Sequence, residues 1–298
     1  MAATETCHRE LAATGADLSA YNSTESAADF ADLRKELGFT VWNVYGTSYG
    51  SYLAQTIMRD HPDGIRSVIL DSILPTTYTI PANWRITRTG FDNLFQACAT
   101  ETACNAAHPH LEETFTRLVN TLEAEPLTTT VRDPATGRGI KVVLDGGALV
   151  DWLRNQNYAV ALLRAAPDRI DGLASRRPEA IEAIAKDRAS RAPPPGPDVP
   201  ALGVGLSFGV TCREDYPFAT PQDLAAAGSF DTLTSLAGAE AAAAKLSKAT
   251  IISIPAVGHV VAPQSPCAQT VITSFLADPG TPDTSCVGTL KPPSFTPL

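Results

Sequence analysis

Val41-Trp42-Asn43-Val44-Tyr45-Gly46-Thr47-Ser48-Tyr49-Gly50 is a run of apolar and β-branched residues that ends in a Gly-x-Ser-x-Gly pentad. The residues that follow, Ser51-Tyr52-Leu53-Ala54-Gln55-Thr56-Ile57-Met58-Arg59, have a helical pattern. Strand, sharp turn and helix form the context in which this pentad works as a nucleophile elbow. Such a turn holds the serine in strained dihedrals, and side chains at Gly46 and Gly50 are expected to collide with neighbouring backbone. The Ser48 hydroxyl is then exposed above the sheet. The Tyr49 N–H, at the helix N-terminus, is offered to an oxyanion. A turn that merely joins strand to helix can carry the same five letters; the flanking strand and helix favour the nucleophile.

Working outward, His61-Pro62-Asp63-Gly64 stops the helix, and Ile65-Arg66-Ser67-Val68-Ile69-Leu70-Asp71 reads as a second buried strand. The short turns imply parallel neighbours and a right-handed crossover. On the N-terminal side residues 26–37 read as a helix. Ser26 and Asp29 make a capping box, Phe30, Leu33 and Leu37 share a face, and Gly38 ends it. From about Pro75 the character changes. Residues 84–125, 146–156 and 167–189 look helical, and 127–143 has β-like stretches around Asp133-Pro134-Ala135-Thr136-Gly137. Pro193-Pro194-Pro195-Gly196-Pro197 is a stiff linker. A sheet pattern returns at Ala249-Thr250-Ile251-Ile252-Ser253-Ile254, a short apolar strand that leads into Pro255-Ala256-Val257-Gly258-His259. A last helix runs from about Pro266 to Leu276, and a Pro-rich tail follows. Because the chain returns to a sheet, the middle block reads as a cap over the site rather than a separate domain. The expected division is a core of 1–75 and 219–298 with a cap of 76–218.

The 298 residues include 23 basic and 32 acidic ones, a formal charge of −9, and no basic patch stands out, which argues against nucleic-acid binding. No apolar run reaches membrane-spanning length, and the first residues lack the apolar core of a signal peptide. Cysteines stand at 7, 98, 104, 212, 267 and 286, with no Cys-x-x-Cys pair and no Cys/His cluster that would suggest zinc. Nothing suggests a metal, nucleotide or flavin, so no cofactor is expected. Cys98 and Cys104 close a short loop, and Cys267 and Cys286 flank a helical segment. Those spacings suit disulfides and hence a secreted or cell-envelope protein.

A serine nucleophile needs a base, and the base an orienting acid. His8 is near the start of the chain, and His61 precedes a proline. His108 and His110 flank Pro109 and are expected to face solvent. Only His259 sits on a loop after a C-terminal strand, where the order Ser…Asp…His places the base. Asp231 precedes it with room for one helix and one strand. Asp71, at the end of the second strand, is the alternative acid but reads more readily as a structural residue. Strand order favours Asp231. The expected chemistry is acyl transfer: Ser48 attacks a carbonyl, His259 takes and returns the proton, Asp231 holds the imidazole, and water cleaves the acyl-enzyme.

Together these residues resemble the α/β-hydrolase superfamily. The closer resemblance is to exported tripeptidyl aminopeptidase-like and proline iminopeptidase-like hydrolases of actinobacteria, a branch that includes carboxylesterases. It rests on Ala28-Asp29-Phe30-Ala31-Asp32-Leu33-Arg34, Trp42 to Gly50, Gly228-Ser229-Phe230-Asp231-Thr232-Leu233-Thr234, Pro255 to His259, Cys267-Ala268, Phe275-Leu276 and Asp283-Thr284-Ser285-Cys286. The resemblance implies an α/β fold, a mostly parallel sheet flanked by helices, with an inserted, mainly helical cap. It implies the triad Ser48, Asp231 and His259, and Cys98–Cys104 and Cys267–Cys286 disulfides. In two places the chain departs from the pattern. The early sheet strands, and a Gly-Gly-Pro-Gly-type loop that supplies a second oxyanion N–H, are not among these residues. Leu224-Ala225-Ala226-Ala227 stands where a Val/Leu-rich strand normally leads into the acid. An open edge on the 41–45 strand is therefore expected, covered by a second copy of the chain if by anything. Loss of one oxyanion donor is expected to lower the rate by roughly two to three orders of magnitude. The same gaps leave Cys7 and Cys212 without their usual partners.

The expected function is a serine hydrolase acting on a small-molecule ester or a peptide N-terminus. An aminopeptidase needs an acidic group to hold the substrate ammonium, and Glu214 in Cys212-Arg213-Glu214-Asp215 is the candidate, with a solvated surface acid as the plainer reading. The competing class is a degenerate, non-catalytic hydrolase scaffold that binds a ligand or partner. A haloperoxidase-like or acyltransferase activity would use the same triad.

Overall fold

The computed structural model describes residues 2–77, 84–132, 137–191, 204–215, 236–255, 257–291 and 294–295. The chain runs α1 (Ala2–Ala13), α2 (Ser23–Glu36), β1 (Trp42–Thr47), α3 (Tyr49–Asp60) and β2 (Ile65–Asp71). It continues through α4 (Trp84–Thr100), α5 (Thr102–Ala107), α6 (Leu111–Ala124), β3 (Leu127–Arg132) and β4 (Gly139–Leu144). Then come α7 (Gly146–Asn155), α8 (Val160–Ala174), α9 (Pro178–Arg191), α10 (Val204–Val210), α11 (Leu236–Ala243) and α12 (Pro266–Ala277). The result is an α/β fold with a helical cap.

β1 and β2 are parallel, with Val44 opposite Val68 and Thr47 opposite Asp71, and α3 makes the crossover between them. The register ends both strands at the same level, so the residues just beyond them meet. Among the described residues β1 pairs with β2 alone, which leaves its other edge open. α2 packs on α3 through small residues: Ala27, Ala31 and Ala54 are buried. The cap is built differently. Its antiparallel hairpin of β3 and β4 and helices α4 to α9 share one apolar cluster that includes Phe91, Phe95, Phe115, Leu149, Leu153, Ile170 and Ile184. Phe295, from the Pro-rich tail, joins that cluster.

Several expectations change on contact with the structure. α2 starts at Ser23, not Ser26, because Asn22 caps it: the Asn22 side chain accepts the Glu25 N–H at 2.9 Å. Phe30, Leu33 and Leu37 do share a face, but that face is exposed, and the buried face carries Ser23, Ala27 and Ala31. Gly38 ends the helix with φ +75°, as its position suggests. The helical stretch at 84–125 is three helices, with Glu101 and His110 as the N-caps of the second and third. The stretch at 167–189 is the end of one helix and most of another, divided before Pro178, which has the fixed φ suited to a first helical turn. The strand expected at 249–254 forms no ladder; Ile251 to Ile254 are irregular and pair with no described strand. A β-rich run is stabilised by neighbours, and no described strand lies beside this one. His108 is not solvent-facing: it is buried, with Nδ1 2.6 Å from Asp171 Oδ2 on α8. Residues 133–136, the 193–197 linker and the whole 228–234 stretch lie outside the described residues.

The Cys98–Cys104 and Cys267–Cys286 disulfides are both present. They are consistent with an extracellular protein. Cys212 is exposed and free, and the Cys7 side chain lies outside the description. Among the described residues no helix is long and apolar enough to cross a membrane.

Candidate active site

Ser48 occupies the turn between β1 and α3 with φ 55° and ψ −124°, a region that non-glycine residues rarely adopt. Such a residue costs about 1–3 kcal/mol and persists only where its surroundings hold it. Here they do. The Ser48 N–H donates to the Asp71 carbonyl at 3.1 Å, and the Ser48 carbonyl accepts the Ser51 N–H at 2.9 Å and the Ser51 hydroxyl at 2.6 Å. Gly46 is required by space: a Cβ there would run into the Gly50 carbonyl. Gly50 is not, because a Cβ at that position meets nothing within 4 Å. Only the first pentad glycine is therefore needed for packing, contrary to expectation.

The turn carries Ser48 Oγ to 2.8 Å from His259 Nε2. In the tautomer with its proton on Nδ1, Nε2 accepts the serine proton, the geometry of a general base at a nucleophile. His259 is buried, and burial lowers its pKa below the usual histidine value, with the charge of Asp71 opposing that shift. A lowered pKa keeps the imidazole free to accept a proton at neutral pH. Tyr158, from the turn between α7 and α8, stands edge-on to the His259 ring at 5.3 Å between centroids. One cap residue thus reaches the serine–histidine pair.

Tyr49 is the first residue of α3, so its N–H has no acceptor within the helix and lies beside the serine. Its hydroxyl is 2.9 Å from Ser23 Oγ, and its ring stacks on Tyr52 at 6.1 Å. Glu214 sits on the same side but is already engaged: it accepts the Ser23 N–H at 2.6 Å, at the N-terminus of α2. A carboxylate there satisfies an orphan donor and the helix dipole. Neighbouring Asp215 is buried, and its carboxyl is pushed up to about 6, first by burial and then by the charge of Glu214. Asp231, the expected acid, lies outside the described residues. Asp71, the alternative, does not supply a direct bond to the ring; its carboxylate binds the main chain just after His259. No sequence pattern announces that contact, nor the parts played by Ser72, Tyr158 and Gln264. The one available signal was the position of Asp71 at the carboxyl end of the strand beside the elbow, where ligands gather in open α/β sheets.

The family model for the alpha/beta hydrolase fold matches residues 8–266. The chain belongs to this family, whose members are typically hydrolases. No curated protein matches it.

Proposed function

We propose that this protein is a serine hydrolase that cleaves ester or N-terminal peptide bonds through an acyl-enzyme on Ser48. The observation that carries the reading is the 2.8 Å contact between Ser48 Oγ and His259 Nε2 at a strained strand-to-helix turn. In this reading His259 removes the serine proton as the oxygen attacks, then returns it to the leaving group. The Tyr49 N–H takes part of the charge on the developing oxyanion. Asp231 is the acid that orients His259, on the strength of chain order. Residues 1–75 and 219–298 form the reacting core, and 76–218 the cap, with Tyr158 as a wall of the substrate pocket. The engagement of Glu214 by α2 favours ester substrates, which need no ammonium anchor. The buried Asp215 beside it keeps the peptide reading in play. The two disulfides support export to the cell envelope or beyond.

The test is turnover of p-nitrophenyl acetate and butyrate beside an alanine p-nitroanilide, for this chain and for Ser48→Ala. Ester turnover is expected, and the variant should lose it by roughly 10⁴-fold or more. Because burial lowers the His259 pKa, kcat/KM should rise with pH along a limb lying below the usual histidine value and stay flat above it. A folded chain with no Ser48-dependent turnover of any of the three would instead identify a non-catalytic scaffold.

A further inference from the structure

Asp71 is the last residue of β2, and it touches both halves of the serine–histidine pair. Its main-chain carbonyl accepts the Ser48 N–H at 3.1 Å. Its carboxylate reaches the other side: Oδ1 accepts the Val261 N–H at 2.8 Å, and Oδ2 accepts the Ala262 N–H at 2.9 Å and the Tyr45 hydroxyl at 2.7 Å. Ser72 completes the arrangement by accepting the Val260 N–H at 2.7 Å on its hydroxyl. The three main-chain donors that follow His259 are therefore all bound by the two residues that follow Leu70.

The chemistry suits a carboxylate. Ala262–Gln264 is a short 3₁₀ turn, and the N–H groups at and before its start lack partners of their own. Successive N–H groups aimed at one point form a concave anion site. Two of the residues involved are strained: Ser72 has φ 53°, and Val260, which is β-branched, has φ 62°. Ser48 is the third strained residue in the same few ångströms of structure. Gln264 closes the loop from its far side by donating to the carbonyls of His259 and Val260. The segment ahead of the loop, Ile251 to Ile254, pairs with no described strand, so among the described residues no ladder fixes the histidine from that direction.

We propose that Asp71 is a positioning residue of this site, setting the separation of Ser48 and His259 by holding the elbow with its main chain and the histidine loop with its carboxylate. The proposal rests on Ser48 and His259 being the reacting pair. Asparagine cannot replace the carboxylate, because its NH₂ would face a main-chain or tyrosine donor where an acceptor is needed. The loop then shifts, and a displacement of about 1 Å at a reacting pair is worth about 100-fold in rate. Asp71 also faces His259 as a charge; among the described residues Tyr45 and Tyr158 are further titratable side chains placed around this junction.

The experiment compares the parent chain with Asp71→Asn and Tyr45→Phe. It measures kcat and KM on p-nitrophenyl acetate across pH, and follows the His259 imidazole by nitrogen-15 NMR titration, which needs no turnover. In Asp71→Asn, kcat should fall about 100-fold with KM held within about twofold, and the His259 midpoint should move to lower pH as the opposing charge is lost. Tyr45→Phe removes one hydrogen bond and keeps the charge; it should lower kcat by less than about tenfold and leave the midpoint in place. A folded Asp71→Asn protein with parental kcat and an unmoved His259 midpoint overturns the proposal. If the parent shows no Ser48-dependent turnover, the proposed reaction fails, and the NMR titration still decides on Asp71: a lowered midpoint supports its hold on His259, and an unmoved one overturns it.

Discussion

Phe30, Leu33 and Leu37 in the elbow region are 42%, 48% and 60% exposed, and Phe39, Val41 and Tyr45 extend the same kind of surface; Phe91, Leu149, Leu153, Ile170 and Ile184 in the cap are each below 5%. Both regions carry large apolar residues, yet the shared buried cluster of them lies in the cap, with Ile57 buried on the elbow helix. The cap is thus held by bulk burial, at about 25 cal/mol for each Å² of apolar surface removed from water. The elbow region packs α2 on α3 through alanines and fixes Ser48 and the loop after His259 by hydrogen bonds with Ser51, Asp71, Ser72 and Gln264. The serine–histidine contact and the large apolar cluster therefore lie in different parts of the chain, and substitutions can separate them.

The largest effect on stability belongs in the cap. Leu153 is 1% exposed within the shared cluster, so Leu153→Ala should cost about 2–5 kcal/mol, read from the shift in a urea unfolding curve. A loss below about 1 kcal/mol would break the contrast, because it would show that the cap cluster is not what holds the molecule.

How far the sequence could be read follows the same divide. The elbow was legible because its causes are local: a strand, a pentad and a helix within 19 consecutive residues, with Gly46 excluded from bearing a side chain by Gly50 four positions away. In the cap the helical blocks and the β-like stretches at 127–143 were legible, but not the breaks that divide 84–125 into three helices and 167–189 between two. What could not be read was the partner of each face. Periodicity places Phe30, Leu33 and Leu37 on one side of α2 but does not say whether anything covers that side. His108 meets Asp171 across 63 positions, and Asp71 meets Val261 across 190, so no local pattern announces either pair. The strand expected at 249–254 is the same lesson in reverse: its composition favours β, but a ladder needs a neighbour. Phe295 stands in a Pro-rich tail with no local sign of burial, because the residues it packs with lie far back in the chain.

A smaller effect tests the buried carboxyl next to the elbow. Asp215 is 8% exposed, and its pKa is raised from 3.8 to about 6, so the fold favours its protonated form. That contribution is fully present below pH 3.8 and is lost as pH rises through the folded value near 6. Above it the native protein carries a desolvated charge. Asp215→Asn should therefore be more stable than the parent by about 3 kcal/mol at pH 8 and close to it near pH 4, measured by urea unfolding at each pH. Destabilisation at pH 8 would mean that the charged carboxylate is held by favourable contacts. The elbow region would then depend on that charge as well as on its hydrogen bonds.

The smallest effect is the one that defines the exposed face. Leu33 is 48% exposed on α2, and a lysine there can run its stem along the surface and keep its ammonium in water. In dilute protein Leu33→Lys should change unfolding free energy by no more than about 0.5 kcal/mol, the range of ordinary surface substitutions. The same change should act more strongly on association. Phe30, Leu37, Phe39 and Val41 are exposed as well, and one edge of β1 pairs with no strand among the described residues, a combination that invites a second copy of the chain. Sedimentation velocity over a range of concentrations separates the two effects. If a second copy covers the face, the parent will form a dimer that Leu33→Lys splits, and the stability difference between them will grow with protein concentration. A loss of about 2 kcal/mol or more that does not depend on concentration would place Leu33 inside the folded core of a single chain. The elbow region would then be held by burial much as the cap is, and the division drawn between the two would fall.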